Sequence, residues 1–181
     1  MKEFLIAARE LAYSQSVPPK AQIDLATEKG KKLALEIGAN IDIVEAGTLL
    51  MDCAITQAIA ENRLPEHVQM GLEKANELME KFPLQKEDKE NIRHCILEHH
   101  GSNNFYSIES EVCCNADCYR FTSVQGFMNA VRYTREMDFV DLVKMLNFKV
   151  EEKWNAISLN VVKIELTPQH ELIKKILENL K

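Results

Sequence analysis

Residues 41–60 read IDIVEAGTLLMDCAITQAIA, and Ile43, Val44, Ala46, Leu49, Leu50, Ala54, Ile55, Ala58 and Ile59 leave the stretch almost no polar side. A helix that is apolar all round is buried by other elements on every side. Asp42, Glu45, Asp52 and Gln57 interrupt the run too often for a membrane span. The expectation is one central helix from Ile41 to Ala60, at the heart of an all-α domain. Asp52 stands in its middle. A carboxylate there is costly unless a metal or a hydrogen-bonded base pairs with it.

The 181 residues are enough for a single domain with a sizeable core. Six glycines and five prolines are few, which favours long helices over many tight β-turns. Acidic residues outnumber basic ones, 28 to 22, for a net charge of −6. That disfavours nucleic acid as a partner, since a phosphate backbone calls for a basic face. It leaves room for a small phosphorylated molecule, which needs only a local positive site or a metal. No stretch reads as a targeting signal: Phe4 to Ala8 is apolar but short, and Arg9 and Glu10 follow at once. A cytoplasmic protein with no membrane partner is expected. The five cysteines, an odd number without small-scaffold spacing, read as reduced, buried thiols.

Helical periodicity extends on both sides of the central stretch. Phe4, Leu5, Ala8, Leu11 and Ala12 predict a helix over Lys2 to Ser14, ended by Ser16-Val17-Pro18-Pro19. A second is predicted from Lys20 to Ile37, ended by Gly38. Gly30 weakens it by about 1 kcal/mol relative to alanine, so close packing is expected there. Pro65 and Glu66 suit a helix start, and Leu64, Val68, Leu72, Ala75, Met79 and Phe82 make an amphipathic stripe up to Pro83. The next helix, from about Lys86, carries Ile92, Cys95, Ile96 and His99 on one face and stops at Gly101. Further helices are predicted over Ile108 to Phe121, from Gly126, and from about Asp138 through Trp154. Thr167-Pro168 reads as an N-cap and first-turn proline opening a last helix to Leu180. Ser158 to Leu166 is open between helix and a short strand.

Asp52, His67, the His99-His100 pair and Asp117 stand on four separate helical segments, each near apolar surroundings. Carboxylate and imidazole together suit Mn, Fe, Ni or Zn, and helical bundles build such sites from facing helices. Taken singly, each residue has a plainer reading. Asp52 could cap a helix or pair with His67, His99 and His100 could serve a helix dipole, and Asp117 could accept from Arg120 or Arg132.

Over roughly residues 20–131 the sequence resembles the HD-domain phosphohydrolases. Leu49-Leu50-Met51-Asp52 stands where that family has an apolar pair followed by His-Asp. Pro65-Glu66-His67 is similar to its Pro-Glu-His helix start, and Ile96 to Gly101 to its His-His-Gly segment. Ser107 to Asp117 is similar to the stretch leading to its late Asp. There are departures: Met51 replaces the His of His-Asp, Gln22 falls near the first lone His, and Asn115 replaces the first Asp of Asp-Ala-Asp.

The resemblance implies one helical domain over residues 1–181, with 132–181 as C-terminal helices. It implies hydrolysis of a phosphate ester or a nucleotide by a divalent transition metal. In the family the first ion is held by two early His and two Asp residues, and a thioether and an amide are poor substitutes for two imidazoles. That site is expected to be empty or weak, Asp117 being what remains of it beside Asp52. The second ion's ligands all have counterparts: Asp52, His67, His99 and His100. Asp52 and His100 are the implied catalytic groups, His100 as a proton donor to the leaving oxygen if left unligated. Arg63, Arg120 and Arg132 are the implied phosphate holders. Against this stands a non-catalytic relative that senses a ligand or binds a protein, favoured by Met51 and Gln22. A helical scaffold with no small-molecule site is the third reading.

Overall fold

The computed structural model describes residues 1–180, which form ten α-helices and one 3-10 turn, with no strand among the described residues. The N-terminal half contains α1 (Lys2–Tyr13), α2 (Lys20–Ile37), α3 (Ile41–Leu50), α4 (Ile55–Ala60) and, after a 3-10 turn at Leu64–Glu66, α5 (His67–Met79). The rest contains α6 (Lys86–Leu97), α7 (Ile108–Thr122), α8 (Val124–Tyr133), α9 (Phe139–Ala156) and α10 (Asn160–Glu178).

Two helices form the centre. Every residue of α3 from Ile43 to Leu50 is buried, and so are twelve of the fifteen residues of α7. By length and mean hydropathy (1.4) alone residues 41–60 would pass for a membrane span, but 72% of that apolar window is buried within the bundle, as a core stretch is. Helix α2 packs across both central helices. Gly30 is where they meet: a Cβ there would stand 2.9 Å from Val44 Cγ1 and 3.3 Å from Ala116 Cβ. A second apolar cluster joins α8, α9 and α10 through Phe127, Leu142, Leu146, Val150, Ile173 and Leu177. All five cysteines are free and buried.

Two sequence expectations need correction. The stretch from Ile41 to Ala60 is not one helix: it turns a corner over residues 51–54. There Cys53 N donates to Leu50 O and Ile55 N to Asp52 O, tight three-residue bonds in place of the helical ladder. The corner puts Asp52 at a helix junction instead of mid-helix. The last helix begins at Asn160, and Pro168 lies inside it. The apolar series Val162, Leu166, Ile173 and Leu177 keeps one buried face through the proline. Pro168 leaves the Ile164 carbonyl without its helical donor, and Ile164 is among the most exposed apolar residues, so water can serve it. Thr167 does not cap: its hydroxyl donates back to Lys163 O at 2.7 Å. Ser158 to Leu166 thus resolves in favour of helix from Asn160 onward.

Candidate metal centre

Three imidazoles cluster together, and two of them face Asp52. His67 opens α5, directly after the 3-10 turn. His99 and His100 follow the end of α6, in the turn before Gly101, whose positive φ of 114° releases the chain from the helix. One ligand atom from each histidine lies within 4.8 Å of the others. His67 Nε2 is 3.0 Å from His100 Nε2. Asp52 Oδ1 is 3.8 Å from His67 Nε2 and 3.6 Å from His99 Nε2. His99 is fully buried, while His67 and His100 are half-buried at the rim.

Local hydrogen bonds orient two rings the same way. His67 Nδ1 donates to Leu64 O at 2.7 Å, and His99 Nδ1 to Ile96 O at 2.7 Å. Each ring therefore turns a bare Nε2 inward when neutral, which is how outer hydrogen bonds present histidine to a metal. His99 Nε2 is buried with no hydrogen-bond partner among the described residues. His100 has two options: its Nδ1 lies 2.9 Å from Glu152 Oε1 and 2.8 Å from Lys153 Nζ. Donating to Glu152 leaves Nε2 bare. Accepting from Lys153 leaves a proton on Nε2, which then bonds His67. The first arrangement, with three bare Nε2 atoms and a free carboxylate oxygen, fits a divalent transition ion.

Beside this cluster is a buried ionic knot. Arg120 Nη1 donates to Asp52 Oδ2 and to Asp117 Oδ1, both at 2.6 Å. Lys153 Nζ, 2.5 Å from Asp117 Oδ2, is almost wholly enclosed. Burial alone would push the Asp52 carboxyl up, but Arg120 and His99 hold it well below the ordinary carboxylate range. For Asp117, burial is outweighed by Lys153 and Arg120, and its pKa is also lowered. Burial works against the charge of Lys153, yet Asp117 keeps its pKa above the ordinary value. Glu152 is brought down to about 2: burial opposes its charge, and hydrogen bonds from His100 and Lys149 override it.

The structure thus gathers Asp52, His67, His99 and His100, and places Asp117 next to Asp52 through Arg120. Of the three arginines assigned to phosphate, Arg120 lies buried between the carboxylates. Arg63 bonds Glu61 and Glu66 on the surface. Arg132 sits over the Tyr133 ring. Gln22 donates to Arg120 O and Gly126 O, both at 3.0 Å, and so fastens α2 to the α7–α8 junction. Asn115 accepts from Ser158 N and Leu159 N at the entrance to α10. Met51 is buried. The site residues missed from sequence are Glu152 and Lys153. Lys153 carried a signal: it continues the buried series Leu142, Leu146, Val150 of α9, where a lysine is out of place without a partner.

No family model matches the chain, and no curated protein matches it in sequence. Solved structures do. Bacillus subtilis YpgQ in complex with ADP superposes with a TM-score of 0.71 at 17% identity, covering 97% of this chain and 95% of YpgQ. YpgQ in a second structure gives 0.68 at 16% identity, over 98% and 94%. A Lactobacillus plantarum protein gives 0.63 at 15% identity, over 98% and 93%. These likenesses show the fold, a single-domain helical bundle like that of YpgQ, and within it His67, His99 and His100 form a cluster that could hold a metal.

Proposed function

We propose that this protein is a metal-dependent phosphohydrolase acting on a small phosphate ester, with a nucleotide as the favoured class. The observation that carries the reading is the cluster of three histidine nitrogens, two of which face Asp52 Oδ1, with His99 Nε2 buried and without a hydrogen-bond partner. YpgQ, a protein of the same fold, was crystallised in complex with ADP, which supports the choice of nucleotide.

Asp52, His67, His99 and His100 would hold the ion. A bound ion supplies Lewis acidity toward a phosphoryl oxygen and lowers the pKa of water. Asp52 stays ionised beside Arg120, so it would serve as a ligand and charge anchor and is a poor proton acceptor. His67 and His100 form the rim, and a substrate would approach from their side. By accepting from His100 Nδ1, Glu152 would leave Nε2 of that ring bare for the ion.

A screen of nucleoside mono-, di- and triphosphates, with Mn, Fe, Ni or Zn supplied, tests the reading by released phosphate. Turnover that disappears in Asp52→Asn and His99→Ala supports it. Binding without turnover, under every metal, would favour the non-catalytic relative instead.

A further inference from the structure

Asp52 comes from the corner after α3 and Asp117 from the middle of α7, and both carboxylates are buried. Two negative charges so enclosed need positive charge beside them. The chain supplies it. Arg120 Nη1 is shared by Asp52 Oδ2 and Asp117 Oδ1 at 2.6 Å each, and Lys153 Nζ holds Asp117 Oδ2 at 2.5 Å. Three of the four carboxylate oxygens are thereby committed to protein cations. The fourth, Asp52 Oδ1, faces His67 and His99. The charges of Asp52 and Asp117, two negative, cancel those of Arg120 and Lys153, two positive, before any ion arrives.

One positively charged nitrogen, Arg120 Nη1, is gripped by carboxylates from two elements, as a bridging cation would be. We infer that Asp52 bridges two cation positions: one exchangeable, among the histidines, and one permanently filled by the chain's own Arg120 and Lys153. The protein therefore holds one metal ion where its paired carboxylates would otherwise take a second. Only the exchangeable position rests on the phosphohydrolase reading. A resident guanidinium cannot be chelated, so the knot and the helices it joins keep their compensation when the exchangeable ion is stripped.

The test counts bound Mn²⁺ at saturation in the full chain, with a thermal melt of each sample. Wild type is expected to stop at one equivalent. The double variant Arg120→Ala/Lys153→Met is expected to bind one equivalent more than wild type, and Mn²⁺ should raise its melting temperature more than it raises that of wild type. Arg120→Lys, which keeps the charge, should keep the wild-type count. Wild type binding two equivalents overturns the inference and leaves the hydrolase reading standing. Wild type binding none while the double variant binds one does the reverse. A folded double variant with the wild-type count also overturns the inference. So does one that stays unfolded with saturating Mn²⁺ as well as without it, because a refilled position should restore the compensation.

Discussion

The Nε2 atoms of His67 and His100 lie 3.0 Å apart although 33 residues separate them in the chain. Two imidazole nitrogens at that distance need a proton or a cation between them, since bare lone pairs repel. His67 has committed its Nδ1 proton to Leu64 O. What lies between the rings is therefore decided by His100, and His100 is decided by its contest between Glu152 and Lys153.

Removing Glu152 should tip that contest. In Glu152→Ala, Lys153 is left to donate to His100 Nδ1, and the Nε2 proton then blocks the metal. Loss of such an orienting carboxylate typically costs about 10–100-fold in metal affinity. Titration calorimetry with Zn²⁺ or Mn²⁺ should show that weakening. An unchanged affinity would mean that Glu152 does not set the ring.

Removing Arg120 should cost stability steeply. Arg120→Ala strips the shared cation from two buried carboxylates, a change worth about 3–5 kcal/mol. Urea denaturation in the absence of metal is the measurement. Asp117→Asn should cost less than Arg120→Ala, because Arg120 stays paired with Asp52 while Lys153, losing Asp117, still has Glu152 Oε1 at 3.7 Å and His100 Nδ1 at 2.8 Å. The reverse order would contradict the charge balance at the knot.

Acid should act through the same residues. The folded pKa values of Asp52 and Asp117 lie below the ordinary 3.8, and that of Glu152 falls from 4.5 to about 2. Groups with depressed folded pKa values add stability that is present above their unfolded values and is lost as pH falls through the folded ones. Stability should hold above about pH 5 and decline on acidification from about pH 4 downward. The decline should be shallower in Asp117→Asn. Equal slopes in the two proteins, by denaturant titration across that range, would count against the ionised knot.

Gly126 is the tightest point beside the site. A Cβ there would fall 2.1 Å from Tyr119 O and 2.6 Å from Arg120 O, backbone atoms with little room to move. Gly126→Ala should cost at least about 1–3 kcal/mol by overpacking, and it should disturb the Gln22 bonds to Arg120 O and Gly126 O. A melting temperature within about 1 °C of wild type, well short of the shift such a cost implies, would show that the α7–α8 junction yields easily.

Helical periodicity and the apolar stretch around Asp52 carried the fold class, because burial imposes its period on sequence. They did not carry the corner after Leu50 or the proline within α10. Both depend on tertiary packing that overrides local rules: the buried stripe of α10 runs straight through Pro168. At the site, His67, His99 and His100 could be read from residue type and placement. Arg120 was legible only as a partner for Asp117 or for phosphate, since sequence does not say which of two anions a guanidinium meets. Gln22, Met51 and Asn115 were legible as departures from a pattern. Their present work, a clasp, a core side chain and a cap on the α9–α10 connection, depends on long-range contacts that no local spacing encodes.

The central claim, that three histidines and Asp52 make a metal site, is tested most directly by elemental metal analysis of the purified protein beside His67→Ala. The expected result is close to one equivalent of a transition metal in wild type and a marked loss in the variant. Neither protein retaining metal after incubation with Mn, Fe, Ni and Zn salts would contradict it, and the non-catalytic reading of the fold would take its place.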